Sequence, residues 1–518
     1  MTREEGRPSK PMRFRIRSLW RRLTRGVRKA VGWYNHRMKK VYSPTVAALT
    51  GTTLVAAISL FLLFGPRFIG VADDGSLTEV MRGAGLGYRA QDLEDPVGAY
   101  ALRYLVHSGK TDSGLSSHQM MIQAAIWIDD RITHDNLLDL RVLGGLYLLL
   151  YLPAVYLVLR GLCSRVRTAL EATALTLLGA MVLADGATVS YFNTLYPEAM
   201  WIVFLTYILG LCLMMPNLGD GGLQGAFLGL TLCGILLTMT EKHCAVAGAV
   251  LALFCIRQIA MEGGNHRISI TALICAAVLA VTSLLSATEG VSRFTETSRL
   301  HAMTNGVLLR SRDPARTLGE FGIDERFETV TDMSAYSDFP YALVGNPEIQ
   351  RDFLPRYGTL DVLAFYLRNP LDWAGVMEIS TRAAFRTARS YVGNFEKAAG
   401  LEERARNGLF TDYTNFRSSS MPQTLGFLLI LGAIYLGLFR KKKSQAIQDR
   451  KAFRPRQLML DTFALMMLIG LAEMTAVVCL SGTAELERYA MLYSICIDGM
   501  ILLFLAEILH RLNILSEE

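Results

Sequence analysis

The chain has 518 residues, of which 51% are apolar and 19% charged, and its mean hydropathy is +0.29. This composition excludes a disordered chain, a coiled coil, a secreted disulfide scaffold and an ordinary soluble enzyme, and it indicates an integral membrane protein. The formal charge of +7 is unevenly distributed, because residues 1–40 carry +12 and the other 478 residues sum to −5. The basicity therefore belongs to one end of the chain.

The N-terminal segment, residues 1–44, is predicted to be a cytoplasmic basic amphipathic segment. Between residues 13 and 40 its apolar side chains recur at three- and four-residue steps, which places them on one face of a helix. Such a helix lies on an anionic membrane surface, so the expected partner of residues 13–40 is anionic membrane lipid and no nucleic acid. The eight cysteines show no metal-ligand spacing and predict no metal site.

Ten apolar runs are long enough to predict transmembrane helices. They cover approximately 45–64, 138–159, 169–190, 199–215, 222–239, 243–256, 268–287, 424–439, 457–480 and 489–509. Lys and Arg are concentrated in alternate connections, which places both termini and the basic loop 440–456 in the cytoplasm. The predicted fold is an all-α polytopic membrane protein.

Two long polar stretches then fall on the outer face. The first, 65–137, belongs to a transmembrane module spanning 45–287, and the second, 288–423, precedes the C-terminal spans within 424–518. Turn-rich sequence and a helical pair divided at Asn369–Pro370 indicate that the second stretch is folded. Together they are expected to form a small, mainly helical cap.

Polar residues cluster at the outer ends of the spans. The sequence ADDGSLTE places Asp73, Asp74 and Glu79 just after the first span. Adjacent carboxylates repel each other, so they indicate a bound cation, a basic ligand or a proton acceptor. The structural alternative is a turn into a helix whose capping box is formed by Ser76 and Glu79.

Further candidates occupy the later outer connections. Tyr196 and Glu198 precede the fourth span, where Glu198 equally suits a helix N-terminus. Lys242 could bind a phosphate, pair with Glu241 or extend to solvent. Arg382, Arg386 and Arg389 form either a phosphate-binding stripe or a solvated or salt-bridged face. Glu485 and Arg488 lie in the last outer connection, just before the last span.

These segments resemble the GT-C superfamily of polytopic glycosyltransferases, and within it a bacterial group implicated in surface glycan assembly. The resemblance is carried, in the expected order, by ADDGSLTEVM (72–81), YFNTLYPEA (191–199), EKH (241–243), RNPLDWAGVMEISTRAAFRTARSYVGNFE (368–396) and AELERYAMLYS (484–494). It implies a polyprenyl-phosphate sugar donor, a glycan or lipid acceptor, and a bacterial plasma-membrane location.

The resemblance also implies residue roles. An acidic residue of the first outer loop, Asp73 or Asp74, would be the catalytic base, and a divalent cation between them is compatible with the pattern but not required. Lys242, Arg382, Arg386 and Arg488 would bind the donor phosphate, while Glu79, Tyr196, Glu198 and Glu485 would position substrate. The alternatives are a flippase or transporter of lipid-linked saccharides, a glycan polymerase or ligase, and a membrane scaffold.

Overall fold

A computed structural model describes residues 26, 28–39, 42–93, 99–107, 116–262, 265–292, 295–335, 338–339, 341–387, 391–402, 405–439, 450–484 and 486–512. Within these ranges, eight helices are long and apolar enough to cross a membrane. They are Pro44–Phe64, Leu140–Cys163, Glu198–Asn217, Asp220–Thr238, Lys242–Ala260, His266–Thr288, Pro455–Ser481 and Arg488–Arg511. The predicted all-α polytopic fold is confirmed.

Two further predicted spans are bent helix pairs. Ala169–Leu183 continues as Gly186–Asn193 after a bend of 46°, and Asp412–Ser420 continues as Leu425–Phe439 after a bend of 105°. If each pair is one span, the described chain has ten, as the sequence predicts. Asp185 lies in the first break and the sequence MPQT (421–424) forms the second. Asp185 caps the helix that follows it by accepting from the N–H of Ala187 at 3.1 Å.

Both ends of the described chain lie on the same side of the bundle. In the N-terminal helix of residues 28–38, Asn35 Oδ1 accepts a hydrogen bond from the N–H of Leu170 at 2.9 Å. Near the C-terminus, Nδ1 of His510 lies 2.8 Å from Oε1 of Glu171. Most of the basic segment and the loop 440–449 lie outside the described residues.

The opposite side, called the outer face below, carries the two long polar stretches. Their principal helices are Leu77–Ala84, Ser117–Thr133, Glu296–Ala302, Pro314–Glu320, Thr359–Arg368 and Pro370–Phe385. The last two meet at Asn369–Pro370, as the sequence predicts, because proline cannot continue the backbone hydrogen bonding of the preceding helix.

The outer stretches contain short antiparallel strands that the sequence pattern does not reveal, and one pair of them connects the two stretches. Ile69–Val71 pairs with Val392–Phe395, so residues more than 300 positions apart form one ladder. A second sheet joins Leu86–Gly87, Arg103–Val106 and Leu137–Asp139, and a third joins Asp338–Phe339 and Tyr341–Ala342. Strands of two to four residues are too short to show an alternating pattern.

The core has two parts. A continuous apolar cluster runs through the spans into the first outer stretch, and a separate cluster lies within residues 300–376. The second cluster packs on Val478 and Cys479, in the last turn of the span Pro455–Ser481. The part of the second stretch around this smaller core therefore packs on the end of one span. The strand Val392–Phe395, later in the same stretch, instead pairs with Ile69–Val71 beside Asp73.

Candidate functional site

Asp73 is a buried structural element of the first outer loop. Its N–H donates to the carbonyl of Ala99 at 3.0 Å, and its Oδ1 accepts from the N–H groups of Gly75 at 2.7 Å and Leu77 at 3.3 Å. The hydroxyl of Tyr88 donates to Oδ2. Asp73 is only 2% exposed, so both of its carboxylate oxygens are engaged by the fold.

The capping box predicted for Ser76 and Glu79 is wrong at Ser76. The Ser76 hydroxyl donates to Oδ1 of Asp74 at 2.6 Å and makes no capping bond to its helix. Asp73 supplies the acceptor for the first helical N–H instead. A carboxylate oxygen is a stronger acceptor than a serine hydroxyl at a helix N-terminus. The side chain of Glu79 lies outside the described residues.

Asp74 is exposed and faces the spans through Tyr196. The Tyr196 hydroxyl donates to Oδ1 of Asp74 at 2.7 Å and accepts from the Asp74 N–H at 3.1 Å. Burial raises the pKa of Asp74, but the hydrogen bonds from Ser76 and Tyr196 and the charge of Arg488 outweigh it, so the pKa lies below its ordinary value of 3.8. Asp74 is therefore an accessible, ionised carboxylate at neutral pH.

Arg488 connects this loop to the ends of three spans. Its Nη1 donates to the Ser76 hydroxyl at 3.2 Å and its Nη2 to Oε1 of Glu241 at 3.1 Å, while its Nε lies 3.8 Å from Oε1 of Glu198. The guanidinium also lies 5.3 Å from the centre of the Tyr196 ring. A planar guanidinium can hold several such partners at once. The structure thus brings together five of the predicted residues: Asp73, Asp74, Tyr196, Glu198 and Arg488.

A buried histidine between two glutamates extends the cluster inward. Nδ1 of His243 lies 2.7 Å from Oε1 of Glu473, and its Nε2 lies 3.5 Å from Oε2 of Glu241. The imidazole is enclosed by the rings of Trp201 and Tyr489, at 5.3 and 4.7 Å between centres. Glu473 is fully buried, and an isolated carboxylate there would be costly. Sequence reasoning missed this pair, since its members are 230 positions apart.

His118 is a second histidine that sequence reasoning missed. It lies in the first turn of the helix Ser117–Thr133 and is 5% exposed. Burial lowers its pKa to about 4, although the nearby charge of Glu241 raises it. His118 is therefore neutral at pH 7 and can serve the cluster as a hydrogen-bonding group, with no charge of its own.

The other predicted residues lie elsewhere or outside the description. Lys242 is exposed in the helical turn that starts the sixth span. Arg382 is exposed on the helix Pro370–Phe385, and just beyond it Nε of Arg386 donates to Oε1 of Gln423 at 2.7 Å. No contact of Arg382 or Arg386 with the residues around Asp74 is seen in the described part of the chain. Arg389 and Glu485 lie outside the described residues.

Within the described ranges, no three His, Cys, Asp or Glu side chains are grouped so that they could hold a metal ion. Both oxygens of Asp73 and Oδ1 of Asp74 accept hydrogen bonds from protein groups. A divalent cation between the two aspartates stays a prediction, and it would have to bind chiefly through the remaining oxygen of Asp74.

A second polar cluster lies deeper among the spans. Arg417, on the short arm of the 105° bend, donates to Oδ1 of Asp498 at 2.6 Å, and the hydroxyl of Tyr413 donates to the same oxygen at 2.6 Å. Asp498 is ten residues from Arg488, or about 15 Å along the helix. It also lines a mainly apolar cavity with Tyr151 and Thr206.

The helices and their buried polar contacts define an all-α polytopic protein that is integral to the membrane. The chain belongs to the family described as the YfdI N-terminal transmembrane domain, whose family model matches residues 34–518. No curated protein and no solved structure matches the chain.

Proposed function

We propose that the protein is a glycosyltransferase that moves a sugar from a polyprenyl-phosphate donor to a glycan or lipid-linked acceptor at the outer face. The observation that carries the proposal is the convergence of Asp74, Tyr196, Glu198 and Arg488 from distant parts of the chain. The exposed carboxylate of Asp74 accepts hydrogen bonds there from Tyr196 and from Ser76, and the Ser76 hydroxyl accepts one from Arg488, at the level where the spans end. The resemblance to GT-C enzymes and the family membership support the same class of reaction.

We assign Asp74 as the base and Asp73 as a positioning residue. Asp74 is exposed and ionised, so it can accept the proton of an acceptor hydroxyl. Asp73 is buried and holds the loop through its bonds to backbone and Tyr88. In the reaction the acceptor oxygen forms a bond to the anomeric carbon, and its proton passes to Asp74. The bond from that carbon to the phosphate oxygen breaks, and the lipid phosphate leaves with the electron pair.

The cations of the site have different roles in this proposal. Arg488 is held among Glu241, Glu198 and Ser76, so it fixes the geometry of the loop that carries Asp74. Lys242 is exposed at the start of a helix on the same face and is the better candidate for the donor phosphate. Arg382 and Arg386 would meet phosphate only where it approaches from the membrane surface.

The orientation belongs to the same proposal. The arrangement of Lys and Arg supports a topology with both termini in the cytoplasm and residues 13–40 on anionic membrane lipid. The resemblance supports a bacterial plasma membrane as the location. The common side of the two described ends agrees with this arrangement. The outer cluster would then face the compartment in which an outward-flipped lipid-linked sugar meets its acceptor.

Transport of a lipid-linked saccharide is a second candidate function, and the position of Asp498 within a span favours it. Ionisable residues in the middle of a span commonly mark a transport path. However, Arg417 neutralises Asp498 and is itself only 1% exposed, which suits a structural ion pair that holds the bent helix. We therefore place the transferase first.

The test is transfer by the purified full-length protein in lipid nanodiscs, given a panel of radiolabelled polyprenyl-phosphate sugars and extracted cell-envelope lipids as acceptors. We expect one donor to be consumed, with label passing to the acceptor, and Asp74→Asn to stop that transfer. Asp130→Asn is the matched control, because Asp130 is exposed on the helix Ser117–Thr133. Donor that crosses the bilayer of liposomes without transfer would favour the transporter.

A further inference from the structure

A polar pocket lies beside the Asp73 loop, where the two outer stretches meet. It has a volume of about 230 Å³ and is lined chiefly by Arg89, Gln91, Asp92, Tyr100, Glu396 and Lys397. The N–H of Lys397 donates to the carbonyl of Tyr100 at 3.1 Å, and the N–H of Glu396 donates to the carbonyl of Phe68 at 3.3 Å. Backbone bonds between the two stretches therefore fix the walls of the pocket.

The lining offers hydrogen-bond donors and acceptors without a net charge. Arg89 and Lys397 balance Asp92 and Glu396. Nε of Arg89 donates to Oδ2 of Asp92 at 2.7 Å, and the Gln91 amide, oriented to satisfy both of its ends, accepts from Nη2 of Arg89 at 2.8 Å. A neutral set of this kind has no net attraction for a phosphate. Sugar hydroxyls, which both donate and accept, match such a set of carboxylate, amide and guanidinium groups.

Two lining residues of the pocket, Arg89 and Tyr100, each directly follow a residue that is hydrogen-bonded to Asp73. Arg89 follows Tyr88, whose hydroxyl donates to Asp73, and Tyr100 follows Ala99, whose carbonyl accepts from the Asp73 N–H. Asp74 is the next residue after Asp73. A ligand in the pocket would therefore lie near the carboxylate that activates the acceptor.

We propose that this pocket binds the acceptor as a neutral saccharide, with Gln91 and Glu396 contacting its hydroxyls. The inference rests on the proposed function in naming the saccharide as acceptor, since binding alone would define only a saccharide site. It assigns the acceptor to the junction of the two outer stretches and leaves the donor at the ends of the spans.

Saccharide binding can be measured without any donor. Saturation-transfer NMR on the full-length protein in nanodiscs would use methyl α-glucopyranoside, methyl β-galactopyranoside, methyl α-rhamnopyranoside and methyl N-acetyl-β-glucosaminide. We expect at least one glycoside to bind, and Glu396→Gln or Gln91→Ala to weaken it about fivefold, the effect of losing one hydrogen bond. Glu348→Gln is the matched control, because Glu348 is exposed in the other part of the second stretch.

The outcomes separate this inference from the proposed function. If no glycoside binds, or if Glu396→Gln and Gln91→Ala both bind as the unchanged protein does, the pocket assignment is wrong even where transfer is observed. Glycoside binding that both variants weaken supports the pocket, even if no donor in the panel is used. Circular dichroism and elution volume would confirm that the variants remain folded.

A row of exposed leucines lies at the corner between the helices Thr359–Arg368 and Pro370–Phe385. Leu360, Leu367 and Leu371 are 71%, 76% and 79% exposed, and Leu363 lies between them on the same face. Within the helix Thr359–Arg368, steps of three and four residues place Leu360, Leu363 and Leu367 on one stripe, whereas Val362 on the opposite face is buried in the smaller core. Leu371 is exposed in the first turn of the next helix.

A hydrogen bond from Trp373 to a span shows at which level of the membrane this corner lies. Its Nε1 donates to the hydroxyl of Thr475 at 3.1 Å, within the span Pro455–Ser481. Thr475 is 20 residues from Pro455, or about 30 Å along the helix, which equals the thickness of the hydrocarbon layer. Leu371 is two residues from Trp373, so it lies where hydrocarbon gives way to lipid headgroups.

We infer that the stripe Leu360, Leu363 and Leu367, together with Leu371 at the corner, inserts into the lipid leaflet on the outer face. Burying such side chains in acyl chains is favourable by the same hydrophobic effect that binds surface helices. Arg368, Arg382 and Arg386 are exposed on the same pair of helices or at its end, and they would lie at the level of the lipid phosphates.

Fluorescence quenching tests this inference on the full-length protein. Leu367→Cys and, separately, Leu371→Cys would carry a bimane label in nanodiscs of phosphatidylethanolamine and phosphatidylglycerol; all eight native cysteines are buried. Doxyl lipid should quench both labels more than aqueous iodide does. Arg351→Cys is the control and should show the reverse, since Arg351 is 77% exposed in a charged cluster. Iodide quenching at 367 and 371 equal to that at 351 would overturn the inference.

Discussion

The exchange of one carboxylate for an amide at Asp74 and at Asp73 should have different consequences. Asp74→Asn removes the proton acceptor and keeps the size of the side chain and its bond from Tyr196. Loss of general-base catalysis lowers a rate by about 10²–10⁴, or about 3–5 kcal/mol in the activation free energy. We therefore expect kcat to fall by that factor while KM for the donor changes little.

Asp73→Asn should act mainly on stability. The amide oxygen still accepts from Gly75 and Leu77, but the charged partner of the Tyr88 hydroxyl is lost. A buried hydrogen bond to a charged group contributes about 1.5–3 kcal/mol. The variant should unfold at a lower temperature and retain transfer within about tenfold of the original rate, which is the limit expected for a small shift of the loop.

The assay is the initial rate of label transfer in nanodiscs, combined with thermal unfolding of the same samples. The pH profile adds a further requirement: because the pKa of Asp74 lies below 3.8, the carboxylate is present at all higher pH values and its activity is lost only as the pH falls through that lowered pKa. If Asp73→Asn is inactive and Asp74→Asn is active, the assignment of the two roles is refuted. An acid limb near pH 6 would refute the choice of Asp74.

Three other outcomes follow from the buried charges. Arg488→Gln leaves Glu241 and Glu198 without their shared cation, so stability should fall by about 3–5 kcal/mol, seen as a lower unfolding temperature than for Arg382→Gln; equal temperatures would contradict this. Burial raises the pKa of Glu241, but the charge of Arg488 outweighs burial and lowers this pKa to about 2 from 4.5. The Glu241 carboxylate therefore adds about 3 kcal/mol of stability above pH 4.5, and this stability is lost as the pH falls toward 2. Unfolding temperatures measured from pH 6 to pH 3 should show this loss in the unchanged protein and not in Glu241→Gln. Arg417→Gln and Asp498→Asn should each lower the unfolding temperature, because each leaves the other charge unpaired. The double variant should lose less stability than the sum of the two single losses, since its second change removes a charge that is already unpaired; additive losses would show that the pair is not coupled.

The membrane-spanning part of the fold could be predicted because one physical requirement dominates it. A helix that crosses the hydrocarbon needs about 20 apolar residues, and that length is visible in the sequence. The bend at Asp185 was not predicted, because the apolar run 169–190 continues across it. The bend near Pro422 was not predicted either, because the helix Asp412–Ser420 is polar and its sequence was assigned to the outer stretch. The strand Ile69–Val71 could not be predicted either, because its partner is more than 300 positions away.

The site could be predicted only in part, for a related reason. Asp74, Glu198 and Arg488 each stand at the end of a predicted span, so topology alone places them on one face. The contacts that give them roles depend on helix rotation, which an evenly apolar helix does not encode. His243 and Glu473 show this limit: His243 closes the polar sequence EKH and Glu473 stands alone in an apolar run, and nothing in either segment indicates the contact that forms when the two helices pack together.

The charge of the cluster bears on how a transferase could work here. Apart from the neutral His118, its acidic and basic groups are five carboxylates and two bases: Asp73, Asp74, Glu198, Glu241 and Glu473, with His243 and Arg488. An excess of negative charge would repel a phosphate placed at its centre. It would stabilise the positive charge that develops on a sugar ring as the bond to the leaving group breaks. The donor is therefore best placed with its sugar near the carboxylates and its phosphate toward Lys242 and the membrane surface, which keeps the leaving group away from Asp74 while the anomeric carbon lies within its reach.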